Sequence, residues 1–329
     1  MSDIDSLLRL APWLLLILAA EFVNGWSDAP NAIATVVSTR VLRPHTAVVM
    51  AAILNAAGAF AGTAVAATIG KGIIRAEVVD IQTVGAAMVG IVIWSTAAWY
   101  YGLPTSESHG LVAGLTGAGL ATAGVDALLW EGWRKVLIGI LFSTFLGFLA
   151  GISLMIAILW IGRRWHPGQV RRIFGRLQIL SSAFMAFSHG SNDGQKFIGV
   201  FTLALVLGGI LPEFDVPAWV ILLCAGTMAV GTALGGWRII RTMGLRLTKL
   251  EPVQGFAAET AAGLTIMGAG AMGIPLSTTH TISTAIMGIG SSRGLSAVRW
   301  GVARRIVIAW ILTFPVCGLI AFITAKILR

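Results

Sequence analysis

Near-continuous apolar runs recur from one end of the chain to the other, at 8–38, 45–70, 79–101, 106–125 and 136–162, then at 177–211, 216–237, 253–272, 277–291 and 303–327. This recurrence is the strongest constraint on the fold, because a helix crosses the hydrocarbon of a bilayer with about 20 apolar residues. Strands of a transmembrane barrel would alternate apolar and polar over roughly ten residues, and no such alternation is present. Only 11% of the chain is charged, against about 25% in soluble domains, which argues against a soluble helical protein. The sequence predicts an all-α polytopic membrane protein.

The net charge of +9 does not point to nucleic acid, because of where the cations fall. Arg163, Arg164, Arg171, Arg172 and Arg176 form one cluster; Arg238, Arg241, Arg246 and Lys249 a second; Arg293, Arg299, Arg304 and Arg305 a third. All lie between or at the ends of apolar runs, as the positive-inside rule expects of cytoplasmic segments. With the three clusters on one side, each half of the chain crosses five times. Two similar halves with an odd number of crossings lie in opposite orientations, so both termini are expected outside. The expected organisation is a first membrane repeat over 1–162, a basic cytoplasmic linker over 163–176 and a second membrane repeat over 177–329. The acidic segment Pro212–Asp215 then falls outside, as the rule expects, but Lys71, Arg75, Arg134 and Lys135 fall there too, against it. The first run passes directly into a motif that recurs later, so it reads as a retained span and not a cleaved signal. Cys224 and Cys317 lie in apolar runs without ligand spacing and read as packing residues.

The two halves are alike in sequence. Phe22-Val-Asn-Gly-Trp-Ser-Asp28-Ala-Pro-Asn31-Ala-Ile33 aligns with Phe187-Ser-His-Gly-Ser-Asn-Asp193-Gly-Gln-Lys196-Phe-Ile198. About 80 residues further on, Gly102-Leu-Pro-Thr-Ser-Glu-Ser-His109 aligns with Gly273-Ile-Pro-Leu-Ser-Thr-Thr-His280. Apolar segments interrupted by Gly and Pro at corresponding positions of two halves mark the binding site of a transporter.

In the first motif, Gly25 and Pro30, and Gly190 and Gly194 in the second copy, are expected to break a helix and free backbone groups inside the membrane. Such groups persist only where they line a cavity or bind something. Asp28 and Asp193 supply acceptors for a cation or proton, and Asn31, Asn192 and Gln195 supply neutral dipoles. Helix capping would explain each aspartate but not the amides and Lys196 beside it. In the second motif, a proline in the first turn of a short helix is followed by hydroxyls: Thr105, Ser106 and Ser108 in one copy, Ser277, Thr278 and Thr279 in the other. A helix N-terminus rich in hydroxyls accepts an anion without a side-chain cation. Two of them facing across a pseudo-two-fold axis would hold a small tetrahedral oxyanion. His109 and His280 follow within a turn, as hydroxyl-orienting, proton-exchanging or packing residues. Glu21, Glu107 and Glu259 are further intramembrane acids, with Glu259, mid-span, the strongest proton-site candidate. Glu107 beside an anion site must be protonated or turned away. No nucleotide loop, metal-ligand pair or nucleophile elbow is present, and no cofactor is expected.

On these residues the chain resembles the inorganic phosphate transporter (PiT) family. NGWSDAPNAIATVV and HGSNDGQKF look like its two signature copies, and GLPTSESHG and GIPLSTTHT like its two hairpin motifs. The resemblance covers nearly the whole chain and implies an inverted-repeat fold with re-entrant-like helical hairpins, inorganic phosphate as substrate, ion-coupled symport and a homodimer. It puts Asp28, Asn31 and Asp193 in the coupling-ion region and the hydroxyls of both hairpin motifs, with Asn192 and Gln195, on phosphate. Lys196, Glu259, His109 and His280 join the coupling or proton group. The short 163–176 linker is similar to that of bacterial members, which implies a bacterial inner membrane. A PhoU-like cytoplasmic regulator could contact that linker, although anionic lipid is the simpler partner.

Sodium-type members carry an asparagine where Lys196 stands. An ammonium so close to Asp193 competes electrostatically with Na⁺, so H⁺ is the expected coupling ion, with Na⁺ at Asp28, Asn31 and Asp193 the alternative. Sulfate is an alternative substrate on the same fold. An intramembrane hydrolase using His109, His280 and Glu259 is the reading from another class, disfavoured because the residues other than Glu259 come in matched pairs.

Overall fold

The computed structural model describes residues 3–329, and among them every regular element is helical. The helices are α1 (Asp3–Ser38), α2 (Pro44–Ala59), α3 (Ala64–Gly72), α4 (Ile81–Tyr101), α5 (Glu107–Ala123), α6 (Trp130–Ile161), α7 (Pro167–His189), α8 (Gln195–Leu207), α9 (Ala218–Leu234), α10 (Trp237–Ile240), α11 (Pro252–Ala271), α12 (Thr278–Ser291) and α13 (Trp300–Ile327). Five of them are long and apolar enough to cross a membrane, and two more spans arise if the bent pairs α2–α3 and α9–α10 each count as one. The polarity is that of a membrane protein. Leu141, Phe145, Leu149 and Trp160 on α6, and Ile311, Leu319 and Ile323 on α13, face outward, while Lys196, Asp193, Glu259 and Gln178 are buried.

The order of elements runs twice. A long helix (α1; α7–α8) is followed by a pair bent by 70° (α2–α3) or 61° (α9 with α10 and its π-helical continuation to Arg246). Two helices joined by a tight turn come next (α4–α5; α11–α12), then a long terminal helix (α6; α13). The packing exchanges partners between the halves. α5 lies along α13, α12 along α6, α1 along α9 and α2 along α7. Neither half can bury its apolar faces alone.

The turns of the two hairpins are built alike. Gly102 and Gly273 end α4 and α11 in the left-handed region, at φ +67° and +65°, where a Cβ is strained. The amides of Leu103 and Ile274 then close back on Ala98 O and Ala269 O, both at 2.9 Å. A threonine from the opposite half's bent pair pins each tip: Thr242 donates to Gly102 O and Thr68 to Gly273 O, both at 2.8 Å. Each tip also meets the middle of a long helix. Trp310 Nε1 donates to Pro104 O at 2.9 Å, and Ser277 N donates to Ser143 Oγ at 3.0 Å. Each hairpin tip is therefore held against the middle of a long helix from the opposite half.

Three local expectations come out differently. The helix breaks fall in the bent pairs, while α1 runs unbroken through Gly25 and Pro30. Pro30 frees the carbonyl of Trp26, and that carbonyl and the proline ring lie against the backbone of Gly236. The second copy widens into a π-helical turn over Gly190–Gly194, a distortion that concentrates at functional sites. Pro104 and Pro275 precede the short helices, whose N-caps are Ser106 and Ser277. Most of the basic linker is helical, because Pro167 opens α7.

At the crossing of α2 and α7, backbone meets backbone. A Cβ on Gly190 would lie 2.0 Å from Asn55 O, and one on Gly58 would lie 2.1 Å from Phe187 O. Gly190→Ala is expected to cost about 1–3 kcal/mol through overpacking, read as a lower thermal midpoint in detergent. Gly168→Ala, where nothing lies within 4 Å, is the neutral control.

Candidate functional site

The two signature motifs meet the two hairpins at the centre of the molecule, and each motif reaches a hairpin. Asn31 on α1 donates from Nδ2 to Thr278 Oγ1 at 3.2 Å and Thr279 Oγ1 at 2.9 Å, at the start of α12. Lys196, at the start of α8, donates to Ser108 on α5, to Asp193, and to Leu276 O at 2.7 Å. Asn31 and Lys196 are sequence counterparts, as are Thr279 and Ser108. Each half therefore grips the other half's hairpin with the same pair of positions.

The carboxylates lie under these contacts. Thr279 donates to Asp28 Oδ1 at 3.1 Å and Thr278 to Asp193 Oδ2 at 2.8 Å. Asp193 is further held by Lys196, which pairs with Oδ1, and by His189, whose Nε2 lies 3.4 Å from Oδ2. Asp28 has no cation partner among the described residues. Asp28, His189 and Asp193 can each present one ligand atom within 4.8 Å of the others. An ammonium, two carboxylates and an imidazole thus share one buried cluster, a far higher density of charge than a packed interior tolerates without pairing.

The hydroxyls divide by role. Ser106 and Ser277 accept from the amides of His109 and His280, at 3.3 and 3.2 Å, and so cap α5 and α12. Ser108, Thr278 and Thr279 lie in the first turns, and Ser108 donates to Leu276 O at 2.9 Å, tying one hairpin to the other. Thr105 is buried just ahead of the cap. Gln195 is spent on backbone, accepting from Val65 N at 3.0 Å and donating to Ser191 O. Asn192 donates to Ile274 O at 3.4 Å and leaves its Oδ1 without a partner, as does Asn31. Those two buried acceptors border the region where the hairpins meet.

His109 and His280 come together with each other, edge to face, ring centroids 4.4 Å apart, and His280 stacks on Trp310 at 3.7 Å. They sit where the two halves meet and have no hydrogen bond to either aspartate. Glu107 is engaged by Ser27 Oγ at 2.7 Å and by Ser95 on α4. Glu21 accepts from Asn24 at 2.8 Å. Glu259 lies apart from the aspartates in a cluster of its own, accepting from Thr35, Ser181 and, at 3.2 Å, Gln178 Nε2. Sequence reasoning passed over His189, Ser27 and Ser95. His189 aligns with the polar Asn24, which was the available signal; Ser95 carries none.

Buried charge gathered where two helical hairpins meet, inside an apolar helical body whose element order runs twice, defines a membrane transporter. Comparison with known proteins agrees. The phosphate transporter family model matches residues 24–321, and the chain belongs to that family. It is 46% identical over 303 residues to a probable low-affinity inorganic phosphate transporter of Rhizobium meliloti, covering 92% of this chain and 91% of the relative. It is 37% identical over 315 residues to the protein so named in Bacillus subtilis, covering 95% of both. A solved structure described as the sodium-dependent phosphate transporter superposes with a TM-score of 0.89 over 97% of this chain and 98% of its own, at 24% identity. It shares the fold.

Proposed function

We propose that this protein is a secondary symporter that carries inorganic phosphate across a bacterial inner membrane by alternating access, coupled to H⁺. The observation that carries the reading is the crossed grip: Asn31 on the hairpin hydroxyls Thr278 and Thr279, and Lys196 on Ser108. Movement of one half against the other would make or break these bonds, which supports a site that itself controls access.

The same hydroxyls supply a coupling mechanism. Each has one proton to donate. Thr279 donates its hydrogen bond to Asp28 and Thr278 donates its own to Asp193. Phosphate entering between the first turns of α5 and α12 takes those donors, together with free amides at the helix starts. Asp193 keeps Lys196. Asp28, left with neither donor nor cation, binds a proton, because an unpaired buried carboxylate is too costly to stay charged. Phosphate and proton then load together. Lys196 acts as a built-in cation in the place where a sodium-coupled site would need Na⁺.

The repeats 1–162 and 177–329 act as the two moving bodies in this reading, with the basic loops cytoplasmic and both termini outside. Uptake of labelled phosphate into proteoliposomes, challenged with arsenate and sulfate, tests the substrate. Arsenate, which matches phosphate in charge and protonation, is expected to compete and sulfate to compete at least about tenfold less well, because a site built to hydrogen-bond a protonated oxyanion rejects one without that proton. Equal competition by sulfate would favour a general oxyanion permease, and release of hydrolysis products from a phosphate ester would favour an enzyme.

A further inference from the structure

On the face that carries the basic loops, a cavity of about 700 Å³ opens between the end of α1 and the starts of α7 and α11. Three cations from three separate segments line it: Arg40 just after α1, Arg171 on α7 and Lys249 just before α11. None of the three is in a salt bridge among the described residues, and the one acid in the lining is Glu251. Arg40 is the only described residue other than glycine with a positive φ, +61°. That conformation closes the end of α1, with Arg40 N donating to Val37 O and Val41 N to Val36 O, both at 3.1 Å. Trp165, Leu250 and Val253 complete the wall on the apolar side.

The floor of the cavity leads inward. Thr39, which lines it, donates to Gln178 Oε1 at 2.9 Å, and Gln178 Nε2 donates to Glu259 at 3.2 Å. Thr35, one helical turn from Thr39 on α1, donates to the same carboxyl, and Ser181 on α7 closes the group. The three segments that supply the cations are therefore those whose helices surround Glu259. Anything that bridges Arg40, Arg171 and Lys249 fixes the ends of α1, α7 and α11 relative to one another.

We propose that this cavity is a regulatory site for a phosphate ester, separate from the transport site, and that its occupation slows transport by holding α1, α7 and α11 together. Two arginines and a lysine lining one cavity suit a tetrahedral oxyanion, and the apolar wall suits an organic group attached to it. A soluble phosphate monoester and a phospholipid headgroup share this chemistry. The effect on uptake, and the cytoplasmic position of the cavity, rest on the reading of the protein as a phosphate symporter; the binding itself does not.

The test uses the full chain and the double variant R171Q/K249Q, neither position belonging to the transport site. Calorimetric titration with glycerol 3-phosphate in detergent is expected to show binding by the parent that the variant weakens by about tenfold or more, the effect of losing two charged hydrogen-bond donors. Equal binding by both overturns the proposal. In phosphatidylcholine vesicles the two chains should take up phosphate at the same rate. Glycerol 3-phosphate on both faces should then slow the parent about fivefold or more, a coupling of ordinary size, and leave the variant unaffected. Adding phosphatidylglycerol to the membrane in place of the soluble ester identifies a lipid source if it reproduces that difference. Identical responses of parent and variant in both vesicle arms overturn the regulatory role. Absence of uptake by either chain in neutral vesicles defeats the reading of function, and the calorimetry still decides the cavity.

Discussion

Asp193→Asn is expected to reduce phosphate uptake to background and to destabilise the protein more than any other single change at the site. The carboxylate pairs with Lys196, accepts from Thr278 at 2.8 Å and lies 3.4 Å from His189 Nε2. A neutral amide leaves the ammonium of Lys196, 1% exposed, without a counter-charge. Breaking a buried pair from one side costs about 3–5 kcal/mol, a large part of the roughly 5–15 kcal/mol that holds a domain folded. Transport is lost for a second reason: the anchor that keeps Lys196 on Ser108 and Leu276 is gone. The two effects separate in a double-mutant cycle. D193N/K196M should recover most of the thermal stability lost in D193N, because the ammonium stranded by the first change is gone as well, yet should stay inactive. A double variant as unstable as D193N contradicts the account of the pair.

The second large effect is expected at Lys196. Lys196→Asn gives the second half the side-chain type that Asn31 gives the first. Uptake under a pH gradient should fall by about tenfold or more, since the ammonium holds both Asp193 and the opposite hairpin through hydrogen bonds from a charged donor, each worth about 1.5–3 kcal/mol. The change also removes the ammonium paired with Asp193, which can present a ligand atom within 4.8 Å of those of Asp28 and His189. Two carboxylates that close favour a cation between them. The variant is expected to regain part of its uptake when Na⁺ is added outside, a response not expected of the parent. A variant equally slow with and without Na⁺ would remove Lys196 from the choice of coupling ion and leave it a structural tie.

Much of this could be read from the residues, because the two halves carry the same motifs in the same order. The duplicated Asp28 and Asp193, the paired hairpin hydroxyls and the odd one out at Lys196 are visible as strings. The contacts between them are not. Asn31 and Thr279 are 248 residues apart, and Lys196 and Ser108 are 88 apart, so only the folded exchange of helices between halves brings them together. Pattern also misjudged local backbone. Pro30 signalled a break, but one missing amide in a 36-residue helix is tolerated where the freed carbonyl lies against Gly236. The apolar runs 106–125 and 277–291 gave no sign that the tip before each is held to a long helix of the other half by Trp310 and Ser143. Glu259 stood out as an acid in an alanine-rich span, while its partners Thr35, Gln178 and Ser181 come from two other helices and carry no signature of their own.

The central claim is that Lys196 makes this a proton-coupled carrier, and the driving gradient tests it most directly. Purified protein in sealed proteoliposomes should accumulate labelled phosphate when the outside is made acidic in choline buffer free of Na⁺, and a protonophore should abolish the accumulation. An inward Na⁺ gradient at equal pH on both sides should drive none. Accumulation that follows Na⁺ and ignores the pH difference would contradict the account.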